Sequence, residues 1–324
     1  MFKKIQAFFN PEQFQGWGKK RKYFEGWYYK VVTSDETKAF AFIPGIAMDN
    51  NGEKQAFIQV LDGKNKTSEY NKFHWSSFIP KNGSLDFSID HNRFTAYTIY
   101  LDLPGICGEL TFKEHVPWPK PIYSPGIMGP YAFVPFMECY HGIVSMDHVI
   151  QGSLNFRGEH IDFSNGRGYI EKDWGKSFPS AYVWIQTNHF SIPGISFKVS
   201  VAKIPWIRNA FVGFIAGLWI NDKLYQFTTY NQTRLVKCTI EKKTVNIIFE
   251  NKKYRLEIIA HRDNATELAS PILGLMDGRI EESMTSLVEV KLVNRASGIP
   301  IFSESGRNTG LEVAGNIEEI ILEN

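Results

Sequence analysis

The stretch "GYIEKDWGKSFPSAYVWIQTNHF", residues 168–190, decides how the chain is read. Alternate residues of a strand share a face. Tyr169, Glu171 and Asp173 then point one way, and Ile170, Lys172 and Trp174 the other. A Gly/Ser/Pro turn follows over 175–179. Beyond it Tyr182, Trp184, Gln186 and Asn188 share a face opposite Val183, Ile185, Thr187 and His189. A period of two on both sides of a turn predicts two strands rather than a helix.

The same rhythm extends outward. "YFEGWYYKVV" (23–32), "AFAFIPGIAM" (39–48) and "KQAFIQVLDG" (54–63) precede it; "ISFKVSVAKI" (195–204), "AFVGFIAGLWI" (210–220), "LYQFTTYN" (224–231) and "YRLEIIAHR" (254–262) follow. Many short strands at even spacing predict an all-β protein of antiparallel barrels or sandwiches. A weak internal echo between the two halves predicts two related β-barrel domains, 23–178 and 179–324, after a basic, aromatic segment over 1–22. The Pro/Gly-rich "VPWPKPIYSPGIMGPYAFVP" (116–135) reads as a loop closing one end of the first barrel, or as a simple crossing connection.

Composition narrows the function. The net charge of +2 and the absence of a basic arm exclude nucleic acid as an expected partner. The first segment mixes Lys3, Lys4, Lys19, Lys20, Arg21 and Lys22 with Phe2, Ile5, Phe8, Phe9 and Phe14. That mixture suits peripheral contact with an anionic membrane, or a tail packed loosely on the domain. Three widely spaced cysteines, Cys107, Cys139 and Cys238, suggest neither a disulfide framework nor a zinc site, so a reducing, cytoplasmic setting is expected. The opening "MFKKIQAFFNPEQF" shows no leader-length apolar run, and the eleven residues of 210–220 are too few to span a bilayer, which takes about 20 in a helix. "ECYHGIVSMDH" (138–148) gathers Glu138, His141, Asp147 and His148 in a spacing that matches no familiar ligand set, so neither metal nor cofactor is expected.

In "KYFEGWYYKV" the residues Tyr23, Glu25, Trp27 and Tyr29 align as do those of 182–188. Faces built of Trp, Tyr, Gln, Asn and Glu read as cavity walls rather than wet exteriors. The expected ligand is a hydrophobic small molecule. Its binding candidates are Glu25, Trp27, Glu138, His141, Tyr169, Trp174, Tyr182, Trp184, Gln186 and Asn188, with Trp27, Trp174 and Trp184 expected to line one cavity.

"FEGWYYKV", "EKDWGKSFPSAYVWIQTNHF" and the late "GLEVAG" (310–315) together resemble the tocopherol cyclase family. The region from "PGIMGPYAFVPFMECYHG" through "GYIEKDWG" more distantly resembles the carotenoid hydratase group and related lipocalin-like proteins. The resemblance implies two lipocalin-like antiparallel barrels. It also implies chemistry on a prenylated substrate: protonation of a trisubstituted alkene, then capture of the tertiary cation by a phenol, giving a ring, or by water. Such chemistry needs a carboxyl held protonated by burial and aromatic faces beside the cation. Glu171 is the first candidate acid and Asp173 the second. The chain departs from the plant cyclase pattern at Asp173, where that pattern has Asn, and at Tyr182, where it has a larger aromatic. A non-catalytic carrier of a lipid or pigment is the competing reading.

Overall fold

The computed structural model describes residues 9–323. The first sheet contains β1 (Tyr23–Val32), β2 (Ala39–Met48), β3 (Lys54–Asp62), β4 (Thr67–His74), β5 (Phe78–Pro80), β6 (Asp86–Ile89), β7 (Asn92–Thr95), β8 (Thr98–Leu103), β9 (Ile106–Lys113), β10 (Cys139–Phe156), β11 (Glu159–Asp162) and β12 (Arg167–Gly175). The second contains β13 (Ala181–Thr187), β14 (Ser196–Trp206), β15 (Asn209–Ile220), β16 (Lys223–Thr228), β17 (Arg234–Ile240), β18 (Thr244–Glu250), β19 (Tyr254–His261), β20 (Thr266–Ile272), β21 (Leu275–Asn294) and β22 (Pro300–Gly315). Neighbouring strands run antiparallel, and the remaining elements are short 3-10 turns. The protein is therefore all-β, as the period of two predicts.

Both sheets mix hairpins with one late return. In the first, β12 comes back to lie between β1 and β10; in the second, β22 lies between β13 and β21. The segment "EKDWG" thus occupies a central strand, with partners on both sides. The chain divides into two units. One runs to Phe178 and takes in Leu268–Arg279; the other comprises Pro179–Glu267 and Ile280 onward. The inserted piece is tied down by the Gln59 amide, which donates to Ala269 O (3.0 Å) and accepts from Ala269 N (2.9 Å). Met276 packs there with Ala47 and Phe57. Strand periodicity carries no information about which core a hairpin tip joins, so the sequence pattern alone leaves 268–279 with the second half.

Each unit has its own apolar core. The first is rich in rings, including Trp27, Tyr29, Phe40, Phe87 and Phe94. The second is mostly aliphatic, including Val183, Ile185, Val199, Ile247 and Val290. Strand alternation selects these residues: Tyr23, Trp27, Tyr29 and Val31 enter the first core, and Val183 and Ile185 the second.

The segment before β1 is part of the first core. Phe14 is buried edge-on against Phe78 (centroids 5.1 Å apart) and Trp17 (4.9 Å). The buried Gln13 accepts from Gly83 N at 2.7 Å. A side chain at Gly16 would collide with the rings of Phe14 and Tyr23, so only glycine lets the chain pass there. Residues 9–17 are neither a loose tail nor, at Phe14, available to a membrane. Phe2, Ile5 and Phe8 lie outside the described residues.

What holds this segment is a buried ion pair. Lys172 Nζ lies 2.5 Å from Glu25 Oε1, with both side chains fully inaccessible. Lys172 also donates to the carbonyls of Pro11 (3.0 Å) and Gln13. Glu25 accepts from Gln15 N (2.8 Å), Gly16 N (3.0 Å) and Tyr23 Oη (2.6 Å). Burial pulls the Lys172 ammonium below its ordinary pKa while Glu25 pulls it back up. Removing one partner strands the other charge in a dry core. Lys172→Ala should therefore cost about 3–5 kcal/mol in urea unfolding, and the double change Lys172→Met with Glu25→Gln should recover most of it. A loss below about 1 kcal/mol in the single variant would show that the pair is not what seats the segment.

A second buried polar group links stability to pH. His148 is wholly buried against Phe112 (ring centroids 4.5 Å apart) and His115 (5.1 Å). Burial, reinforced by His115, lowers its pKa well below the usual value. The folded state thus keeps His148 neutral while the unfolded chain takes up a proton near pH 6.5. Stability should be full above that pH and fall as the pH drops below it, with a slope approaching ~1.4 kcal/mol per pH unit. His148→Phe should flatten the slope between pH 6.5 and 5; an unchanged slope would place the acid sensitivity elsewhere.

Candidate functional site

The sequence candidates fall in two clusters, one in each unit. In the first unit, the two faces of β12 have different fates. Ile170, Lys172 and Trp174 share a face with Glu25, Trp27 and Tyr29 of β1, because Trp27 pairs with Lys172 and Glu25 with Trp174. Tyr169, Glu171 and Asp173 face the other way, alongside Tyr28, which pairs with Glu171, and His141 of β10, which pairs with Asp173. Trp27 and Trp174 therefore share the face of β12 opposite Glu171, as the alternation of the sequence predicts for Trp174 and Glu171.

Trp27 and Trp174 instead clamp Lys172, whose Nζ lies 4.8 Å and 4.7 Å from their ring centroids. The Trp27 indole N–H donates to Glu12 O at 2.9 Å, and its ring packs on Phe87 at 4.3 Å. Glu25 and Trp27, expected to touch substrate, are thus occupied by the protein's own amino-terminal segment. The strand pattern showed that their faces are aromatic and polar. It could not show that the chain itself supplies the occupant. Trp184 lies in the other unit.

The opposite face of β12 carries a chain of titratable groups. Tyr169 Oη donates to Glu171 Oε2 at 2.5 Å. His141 Nε2 lies 3.5 Å from the same Glu171 oxygen, and His141 Nδ1 lies 2.8 Å from Asp173 Oδ1. Tyr169 and Glu171 are buried, and His141 and Asp173 are partly exposed. Burial, then the adjacent Glu171 charge, raises the Tyr169 phenol well above its ordinary pKa, so it stays a hydrogen-bond donor. Cys139 Sγ sits 3.8 Å from Asp173 Oδ1; burial and that carboxylate push its thiol up, which rules out a ready thiolate nucleophile. Glu138 immediately precedes β10, and burial raises its carboxyl pKa against the pull of Lys176.

His141, Glu171 and Asp173 offer ligand atoms within 4.8 Å of one another and could hold a cation. The two imidazole nitrogens, however, address two different carboxylates. That arrangement suits an imidazole passing a proton between acceptors better than one donating a single lone pair to a metal. Asp147 and His148, grouped with His141 in the sequence, are elsewhere: the Asp147 carboxylate is bound by Arg167 (Nε–Oδ1 3.0 Å), and His148 is in the core.

In the second unit Tyr182, Trp184 and Gln186 face away from the core of Val183 and Ile185, yet all three are buried. Tyr182 Oη donates to Glu312 Oε2 at 2.8 Å. Trp184 pairs across strands with Glu312, which pairs with Glu282; Gln186 pairs with the buried Lys198. Asn188 follows β13 and is buried. Sequence reasoning missed Lys172, Lys198, Glu282 and Glu312 as members of these clusters. Glu312 had a signal, since it is the acid of "GLEVAG". Lys198 and Glu282 sit in ordinary alternating strands and had none.

Tyr169→Phe tests the first cluster directly. It removes the O–H donor and leaves Glu171 Oε2 short of a partner, with little change of shape. The expected loss is about 1–3 kcal/mol in denaturant unfolding. A neutral result would mean that the bond is not made in solution.

The family model for tocopherol cyclase-like proteins matches residues 109–315, more than half of the chain and all of both clusters except β1. A probable chloroplastic tocopherol cyclase of Oryza sativa subsp. japonica is 25% identical over 275 residues, covering 67% of this chain and 58% of that protein. A chloroplastic tocopherol cyclase of Zea mays is 30% identical over 108 residues, covering 32% of this chain and 22% of that protein. The chain thus spans less than two thirds of these curated relatives. Among solved structures, CghA with Sch210972 aligns at TM-score 0.56 and 12% identity over 90% of this chain and 89% of that one. Kievitone hydratase from Nectria haematococca aligns at 0.50 and 13% over 91% and 89%. These structural likenesses are of fold. Among the described residues, no helix is long and apolar enough to cross a membrane. With the match running through "EKDWG", the β13 strand and "GLEVAG", the chain belongs to the tocopherol cyclase-like family.

Proposed function

We propose that the protein is a cyclase- or hydratase-like enzyme that protonates the alkene of a prenylated, hydrophobic substrate, with Glu171 as the acid. The observation that carries this reading is the Tyr169–Glu171–His141–Asp173 chain on the outward face of β12. An alkene is a weak base, so its protonation needs a carboxyl whose charged form is disfavoured. Glu171 is a buried carboxyl, and in this proposal it carries its proton once the hydrophobic substrate has excluded water from it. A protonated carboxyl can accept from Tyr169 on one oxygen and give the proton on the other. Family membership and the hydratase among the fold's relatives add support.

The steps balance. The C=C π pair takes the Glu171 proton, leaving a tertiary cation and a carboxylate. A lone pair of the substrate's phenol oxygen, or of water, then forms the C–O bond. The proton released from that oxygen returns to Glu171, directly or through His141, which Asp173 orients. Tyr28 stands across from Glu171 and offers an aromatic face to the cation. In the second unit we propose Gln186, Asn188 and Trp184 as contacts to a hydrophobic ligand held by that unit. We further propose that the two sheets each curl into a lipocalin-like barrel, as the family resemblance implies.

Glu171→Gln keeps the shape and removes the acidity. It should abolish turnover of a prenyl hydroquinone while leaving its binding within about threefold of wild type. His141→Ala should slow turnover and spare binding. Wild-type turnover by Glu171→Gln would transfer the role to Asp173. Tight binding without turnover by any form would identify a carrier.

A further inference from the structure

The loop between β9 and β10 is absorbed neither by the core nor by the proton-transfer site. It is held at three points by buried side chains, Trp118, Ile127 and Met137. Between these anchors it presents Ile122 at 83% and Tyr123 at 77% exposure, with Phe133 and Phe136 at 46% and 49%. Large apolar side chains held out at such exposure on an anchored loop mark an interaction surface.

Its position is fixed by the amino-terminal segment. Lys120 Nζ lies 2.7 Å from Glu12 Oε2, and Gly126 sits against Pro11. The loop enters β10 at Cys139, which pairs with Gly175, which in turn pairs with Phe24. The loop therefore caps the end of the first sheet where β1 begins and β12 ends. The basic run Lys19, Lys20, Arg21 and Lys22 leads into β1 at that same end, with every residue exposed. Lys54 and Lys176 are exposed there too; acids near this end include Glu12, already paired with Lys120, and Asp173, which holds His141, together with Asp49, Glu53 and Glu138.

We propose that this end of the first unit docks on an anionic lipid bilayer, with Ile122 and Tyr123 entering the interface and the 19–22 run resting on the headgroups. Protruding apolar tips at the same end of the sheet as an exposed basic run suit a soft, negatively charged surface rather than a cleft that grips a peptide. The surface also lies near the proposed site: Asp173 and His141 are two residues from the Cys139–Gly175 pair. Resting on the function proposed above, the docking would deliver a bilayer-dissolved prenylated substrate to Glu171. The docking itself does not depend on that reading.

The test is co-sedimentation with phosphatidylcholine vesicles, with and without phosphatidylglycerol, in low and high salt. The intact protein should bind the anionic vesicles, and salt should weaken binding. Ile122→Ser with Tyr123→Ser should lower the partition coefficient at least about tenfold. Lys19→Gln with Lys20→Gln and Arg21→Gln should lower it by up to about fivefold per charge on anionic vesicles only. Unchanged circular dichroism and melting would establish that these variants fold. Wild-type turnover of detergent-dispersed prenyl hydroquinone by the Ile122/Tyr123 variant, with loss on vesicle-embedded substrate, would support delivery as well. No binding to either vesicle, or full binding by the Ile122/Tyr123 variant, overturns the proposal. So does concentration-dependent dimerisation that this variant abolishes, which would assign the patch to a second copy. Vesicle binding by a protein without turnover leaves the docking standing and removes only the enzyme reading.

Discussion

A lysine ammonium enclosed by two indole rings must be neutralised where it stands, and the architecture of the first unit follows from that requirement. Lys172 lies between Trp27 and Trp174 and is paired with Glu25, while the carbonyls of Pro11 and Gln13 take its remaining protons. The carboxylate is matched in turn by the Gln15 and Gly16 amides and the Tyr23 hydroxyl. No member of the set can leave without exposing a charge to a low-dielectric interior. The result is a strand order, β1 beside β12, and a segment of chain seated in the core by charge as much as by Phe14.

That inward commitment shapes the opposite face. A strand's alternation sends Lys172 one way and Glu171 the other, so fixing Lys172 also fixes where Glu171, Tyr169 and Asp173 point. β10 then brings His141 beside Asp173. Bulges in the β10–β12 pairing beyond Ile143 fall after this register is set, so they re-aim Ser145 and His148 without disturbing His141. The proposed acid is thus held on a central strand with hydrogen-bonded neighbours on each side, which limits the freedom of its carboxyl and suits a group that must deliver a proton in one direction.

The second unit repeats the principle with different residues. Its core takes Val183 and Ile185, while the alternate face of β13 carries Tyr182, Trp184 and Gln186 against Glu312 and Lys198 across the strands. Glu282 and Lys198 are buried and Glu312 is partly buried, and charges withdrawn from water in this way are costly unless paired. The Trp184 ring lies over Gly310, where any side chain would displace it. The glycine of "GLEVAG" is therefore a packing requirement of the aromatic face.

Alternation alone made the strands, their two faces and the all-β class legible, because burial on one side imposes a period of two that no helix reproduces. It also made Tyr169, Glu171 and Asp173 one set and Tyr182, Trp184 and Gln186 another, and the motif resemblance named the family. Which face of β1 met which face of β12 was decided only by register, a long-range pairing across about 150 residues of chain that local pattern does not encode. Trp27 therefore read as a ligand wall when its partner is Lys172. Residues 9–17 read as a tail because a short polar stretch has no period to announce that it will be buried. The attachment of 268–279 to the first unit is made by the Gln59 amide and by Ala47 and Phe57, all more than 200 residues earlier in the chain, and by hydrogen bonds to Lys176, Ser177 and Phe178. Tertiary structure decides such matters because a buried hydrogen bond or ion pair is specified by two distant partners, and each alone looks like an ordinary strand residue.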